Sequence, residues 1–174
     1  MTTLPTDRPP SGRADEAPPG WRFVLAHPAH FLAFGFGTGL SPRAPGTAGT
    51  LAALPLFFLI QEFSAPVYWL TVVGCLIAGI WICGRAGQSL GVHDHGGIVW
   101  DEIAAFLVVL PFAPADWWGY VMAFVLFRLF DIWKPFPIRW FDDHVHGGFG
   151  VMLDDVLAAG YAVLCLLGVT VWLI

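Results

Sequence analysis

The sequence predicts an all-α integral membrane protein: four or five apolar helices, short re-entrant or interfacial segments between them, and an active site at the cytoplasmic face. Three observations carry this reading. Of 174 residues, 57% are hydrophobic and only 12% charged, where soluble domains carry about 25% charged residues. Apolar runs recur at lengths near those a bilayer requires. All eight Lys and Arg residues fall on one side of the zigzag that those runs would trace.

The first twenty residues, MTTLPTDRPPSGRADEAPPG, are rich in Pro and polar side chains and lack the apolar core of a signal peptide. Residues 1–20 are therefore expected to form a disordered cytoplasmic tail, and residues 21–174 a single membrane-embedded domain. Trp21 to Phe34 reads as a short amphipathic approach to the membrane, with Trp21, Phe23, Phe31 and Phe34 as interfacial anchors. Gly35 to Gly49 (GFGTGLSPRAPGTAG) holds too many glycines and prolines for a regular helix and reads as a structured loop.

Five apolar segments follow, Thr50 to Phe63, Pro66 to Cys83, Ile98 to Phe112, Trp117 to Trp133, and Val156 to Ile174. The second and fifth approach the roughly 20 residues that cross a bilayer, whereas the first and third are short enough to tilt, thin the bilayer or re-enter. Arg8, Arg13, Arg22 and Arg43 precede the first segment, Arg85 follows the second, and Arg128, Lys134 and Arg139 lie at or beyond the end of the fourth. Positive-inside bias then places the amino terminus and the 84–97 and 134–150 loops in the cytoplasm. Cys75, Cys83 and Cys165 sit within apolar runs, without the spacing of a redox or zinc motif. A net charge of −5 excludes a nucleic-acid partner, which would need clustered basic residues.

On this topology five carboxylates converge on one layer. Asp101 and Glu102 start the third segment, Asp131 ends the fourth, and Asp154 with Asp155 opens the fifth. Each ionisable group in a membrane helix costs about 2.5 to 3.5 kcal/mol, so five like charges need water or cations to coexist. A hard divalent ion such as Mg²⁺ suits the oxygen ligands Asp101, Asp131, Asp154 and Asp155. The plainer reading of Asp154 and Asp155 is a favourable charge at a helix amino terminus; Asp131, near a carboxyl terminus, lacks that rationale.

Arg128 lies one turn before Asp131, and Lys134 a further three residues on. The pair either flanks Asp131 with internal ion pairs or holds phosphate oxygens, Arg as a planar fork and Lys as a point charge. Arg139, beside Trp140 and Phe141, is placed at headgroup level, as an interface anchor or a phosphate contact. His93 and His95 form one H-x-H unit and His144 and His146 another; the first is the candidate proton donor, with Asp94 between its members as a sixth carboxylate. PGTAGT at 45–50 leads into a helix amino terminus and could cradle an anion, with Thr47 and Ser41 as hydroxyl donors or simple caps.

Four of these stretches, GFGTGLSPRAPGTAGTLAALP (35–55), GVHDHGGIVWDE (91–102), FRLFDIWKPFPIRWFD (127–142) and HGGFGVMLDDVLAAG (146–160), together resemble the bacterial phosphatidylglycerophosphatase A family. The resemblance runs from about Ala33 to Gly160, with Thr50 standing where many members carry Ser. It implies hydrolysis of phosphatidylglycerophosphate to phosphatidylglycerol and phosphate, with Mg²⁺, at the inner membrane. The implied roles are metal binding by Asp101, Asp131, Asp154 and Asp155, and water activation by Glu102 or an Asp. Arg128 and Lys134 would neutralise charge, and His93 or His95 would protonate the leaving group. The competing reading is a transporter or channel subunit, which predicts acids at mid-span on broken helices.

Overall fold

The computed structural model describes residues 19–92 and 94–173. The expected amino-terminal tail, apart from Pro19 and Gly20, and His93 lie outside them. Every regular element among the described residues is helical. Helices α1 (Trp21–Leu25) and α2 (Pro28–Ala33) precede a 3-10 segment, Gly35–Leu40, and then α3 (Pro45–Ile60) and α4 (Ala65–Leu90). After a loop come α5 (Trp100–Val109) with a 3-10 turn at Leu110–Phe112, α6 (Trp117–Trp133), α7 (Ile138–His144) and α8 (Gly147–Leu173).

Helix α5 is the centre of the molecule. Its ten residues span about 15 Å, half a bilayer core. Eight of them, including Phe106 and Ile103, are buried against α3, α4 and α8. A helix apolar on all sides needs such a sheath. Among the described residues, helices α4 and α8, each about 40 Å long, are the two long and apolar enough to cross a membrane. Helix α4 turns Leu70, Ile77 and Trp81 outward, and α6 does the same with Val125, Leu129 and Ile132. An apolar exterior of that extent suits lipid as the solvent.

Three boundaries differ from the sequence reading, and close packing explains two of them. Helix α3 begins at Pro45, so PGTAG is its first turn and not loop. Proline is pre-organised for the first helical position. A side chain at Gly46 would strike the Glu102 carboxylate and the Arg128 guanidinium, and one at Gly49 would strike Val99. Helix α8 begins at Gly147, so Asp154 and Asp155 lie about two turns inside it and do not cap it. Here Gly148 meets the Ile80 carbonyl and Gly84 of α4, where a Cβ would not fit; small residues permit such close helix crossings in membranes. Helix α4 runs past Cys83 to Leu90, where Gly91 at φ 69° ends it in the left-handed conformation. Phe34, expected at the interface, is fully buried. It packs edge-on to Phe23, while Trp21 stays exposed.

Candidate active site

The first turn of α5, the last turn of α6 and the second and third turns of α8 meet at one level, with the start of α3 against them. Asp101, Asp154 and Asp155 are buried there. Glu102 and Asp131 are each 13% exposed at the side chain. The carboxylates act on one another through space: Asp101 feels Glu102, Asp94, Asp154 and Asp131, and Asp155 feels Asp131, Asp101, Glu102 and Asp154. The candidate sixth carboxylate, Asp94, thus belongs electrostatically to the cluster, although its side chain is exposed in the α4–α5 loop.

Two cations are interleaved with these acids. Arg128 Nη1 lies 2.6 Å from Asp131 Oδ2 and 3.2 Å from Glu102 Oε1. It also donates to Thr50 Oγ1 at 3.5 Å, and the Thr50 hydroxyl in turn donates to the Gly46 carbonyl at 2.8 Å. Arg128 therefore joins α3, α5 and α6. Lys134 adopts φ 46° just beyond α6, a left-handed conformation uncommon for a residue with a side chain. There its ammonium donates to Asp154 Oδ2 at 2.5 Å and lies 2.9 Å from Asp142 Oδ1, joining α6 to α8 and α7. Burial opposes its charge, but the hydrogen bonds and charges of Asp154 and Asp142 outweigh this and hold the ammonium above its ordinary pKa.

The ion-pair reading of Asp131 is half realised: Arg128 pairs with it, whereas Lys134 turns to Asp154 and Asp142. Thr50, and not Thr47, supplies the hydroxyl bound to Arg128. Thr47 and Ser41 are half-buried near the start of α3. His95 is held locally, its Nδ1 accepting from the Gly97 N–H at 3.0 Å and its ring tilted against Phe34. Arg139, exposed on α7, stands apart from the acid cluster. Asp142 escaped the sequence reading, because its partner Lys134 is brought to it by a backbone turn and not by helical spacing.

Several polar atoms in the cluster are buried with no hydrogen-bond partner: Asp101 Oδ1, Glu102 Oε2, Arg128 Nε, Asp154 Oδ1 and Asp155 Oδ2. Buried polar groups are rarely left so, and a concentration of them marks a site shaped for something it binds. The free oxygens are of the hard type that Mg²⁺ prefers. Among the described residues no group of three or more His, Cys, Asp or Glu side chains is arranged to hold a metal ion, so an ion here would have one or two protein ligands at most. The donor set fits an ion that keeps part of its shell for water and substrate, as Mg²⁺ commonly does.

Comparison with known proteins adds the lineage. The family model for phosphatidylglycerophosphatase A matches residues 31–170. A phosphatidylglycerophosphatase A of Escherichia coli is 47% identical over 138 residues, covering 79% of this chain and 80% of its own. One from Haemophilus influenzae is 43% identical over 155 residues, covering 88% and 95%. A Bacteroides thetaiotaomicron protein, provisionally named a phosphatidylinositol-3-phosphatase, is 42% identical over 150 residues, covering 80% and 91%. No solved structure matches. With a family model over most of its length and relatives this similar in two bacteria, this chain belongs to the phosphatidylglycerophosphatase A family.

Proposed function

We propose that this protein hydrolyses the terminal phosphomonoester of phosphatidylglycerophosphate, releasing phosphatidylglycerol and phosphate, in a Mg²⁺-dependent reaction at the cytoplasmic side of the bacterial inner membrane. The observation that carries the reading is the meeting of Asp101, Glu102, Asp131, Asp154 and Asp155 with Arg128 and Lys134 in a member of this family. The one-sided distribution of the eight basic residues supports the cytoplasmic orientation and a path of four or five crossings.

One or two carboxylates from among Asp101, Asp131, Asp154 and Asp155 would hold the ion, with water and substrate completing its shell, and the ion would supply positive charge to the phosphoryl oxygens when bound. The chain's own groups do the rest. Arg128 pins one oxygen of Glu102 and leaves Oε2 without a partner; that oxygen would orient the attacking water and take its proton. Arg128 keeps an unpaired Nε–H, and Lys134 has a third N–H beyond its bonds to Asp142 and Asp154. Both can reach phosphate oxygens whose charge grows in the transition state. As water bonds to phosphorus, the bond to the glycerol oxygen breaks, and that oxygen needs a proton. His95 can offer Nε2, since Nδ1 is committed to Gly97; His93 is the alternative donor.

The test is phosphate release from phosphatidylglycerophosphate in uncharged detergent micelles, with Mg²⁺ and with EDTA, by the wild type and Asp154→Asn. Release should require the metal and fall at least about 10³-fold in the variant. A metal-independent wild-type rate would remove Mg²⁺ from the reading. No release at all would sink the substrate and bring the transporter reading forward. Offering a phosphoinositide monophosphate beside the glycerol lipid tests headgroup choice, given the name of the Bacteroides relative.

A further inference from the structure

Of the basic residues on the 128–139 stretch, two are neutralised and one is not. Arg128 faces Glu102 and Asp131, and Lys134 faces Asp142 and Asp154. Arg139 makes no ion pair among the described residues. It lines a groove of about 520 Å³ between the end of α6 and α7, together with Lys134, Trp133, Phe136, Trp140 and Asp143. Asp143 borders this groove without forming an ion pair to Arg139. The aromatic walls are largely open, with Phe136 81% and Trp133 67% exposed. Tyr161 of α8 donates to the Phe136 carbonyl at 3.0 Å, which fixes the turn that forms the groove floor.

Lys134 is common to two sites. Its ammonium ends on Asp154 in the acid cluster, while the residue also forms part of the groove wall. One side chain thus borders the groove and ends in the acid cluster. The groove's exposed aromatics are the type that settles at the headgroup level of a bilayer, and its guanidinium, exposed and without an ion pair among the described residues, can bind an anion there.

We infer that this groove seats the lipid substrate by its second phosphate, the diester that joins glycerol to the diacyl backbone. In this arrangement Arg139 binds the diester oxygens, Trp133, Phe136 and Trp140 border the glycerol and upper acyl carbons, and the terminal phosphate reaches past Lys134 to the acids. The inference rests on the proposed substrate, which carries both phosphates. It makes Arg139 a binding residue for the phosphate that is not cleaved. A lipid held at two phosphates is distinguished from a soluble phosphomonoester, which offers only one.

The experiment uses the purified full-length protein with Arg139→Ala and Arg139→Lys. Two readouts are taken: initial rates on phosphatidylglycerophosphate, and direct binding of radiolabelled phosphatidylglycerol, which keeps the diester and lacks the monoester. Diacylglycerol, with neither phosphate, is the binding control. Arg139→Ala should raise KM about tenfold, with the loss falling on KM and not on kcat. It should weaken phosphatidylglycerol binding by a similar factor while leaving diacylglycerol partition as it was, and Arg139→Lys should recover most of both. Equal phosphatidylglycerol binding by wild type and Arg139→Ala overturns the inference, as does a fall in kcat at constant KM. Wild-type inactivity on the phosphorylated lipid would defeat the proposed function instead, and the phosphatidylglycerol arm would still decide the groove.

Discussion

Arg128 and Lys134 lie on one stretch of chain and each bridges two carboxylates, yet they are built differently. Arg128 sits on a regular helix; one partner, Asp131, comes from local i,i+3 spacing, and the other, Glu102, from the buried helix α5. A third contact, to Thr50, adds α3. Lys134 has left the helix, in a backbone conformation that costs about 1 to 2 kcal/mol for a residue with a Cβ. Both of its partners lie on later helices, and Asp142 is 37% exposed at the side chain. The difference teaches that one cation ties the scaffold together beneath the site, while the other is extended into the site at a conformational cost. Such outliers concentrate where function over-determines the geometry.

The largest expected effect separates the two by stability. Arg128→Ala would strand Glu102 and Asp131 in poorly hydrated positions, a loss of about 3 to 5 kcal/mol for a buried pair broken from one side. Lys134→Ala leaves Asp142 free to meet water but takes the counter-charge from the buried Asp154, so a smaller loss of about 1 to 3 kcal/mol is expected. Thermal midpoints of the purified variants in one detergent measure the gap. Equal shifts would end the division between scaffold and site. Both variants should lose activity, because both cations face the region where phosphate would sit.

A smaller effect concerns pH. The Lys134 pKa is raised by folding, so its contribution is complete below the unfolded value, near 10.4, and disappears as pH climbs through the folded one. The difference in thermal midpoint between wild type and Lys134→Met should therefore persist from pH 7 to about pH 10 and shrink only above that. Closure of the gap between pH 7 and 9 would show that Asp154 and Asp142 do not hold the ammonium as the geometry implies.

The same contrast explains what could be read in the sequence. Asp131 and Arg128 were legible because i,i+3 spacing places them together on any helix. Asp101, Glu102, Asp154 and Asp155 were legible because acids are conspicuous against apolar runs, and their common level follows from the zigzag. Asp142 was not, since no local period connects it to Lys134. The starts of α3 and α8 were both placed too late in the sequence reading. Gly46 and Gly49 read as helix breakers, but they are helical residues with neighbours pressed against them, and Gly148 likewise lies inside α8, ahead of the apolar run read as the fifth segment. Local propensity assigns glycine a cost of about 1 kcal/mol in a helix, and a sequence read alone has no sight of the neighbour that requires it.

The finest test of the Arg128 assembly concerns two hydroxyls three residues apart. Thr50 is fully buried, donates to the Gly46 carbonyl, and accepts from Arg128 at 3.5 Å, a long bond that adds little by itself. Replacing it with Val keeps the shape, removes the acceptor, and leaves Arg128 Nη1 with two carboxylates in place of three partners. A loss of about 0.5 to 1.5 kcal/mol is expected, with a modest fall in phosphate release as the guanidinium loses one of its constraints. Thr47→Val, one turn earlier on α3 and outside the Arg128 network, should lose less by both measures. Thr50→Ser, which keeps the hydroxyl, should retain the Arg128 contact and with it most of the rate. Were Thr47→Val the more damaging of the two, the anion would be held by the first turn of α3 directly, and Arg128 would no longer be the group through which α3 acts on the site.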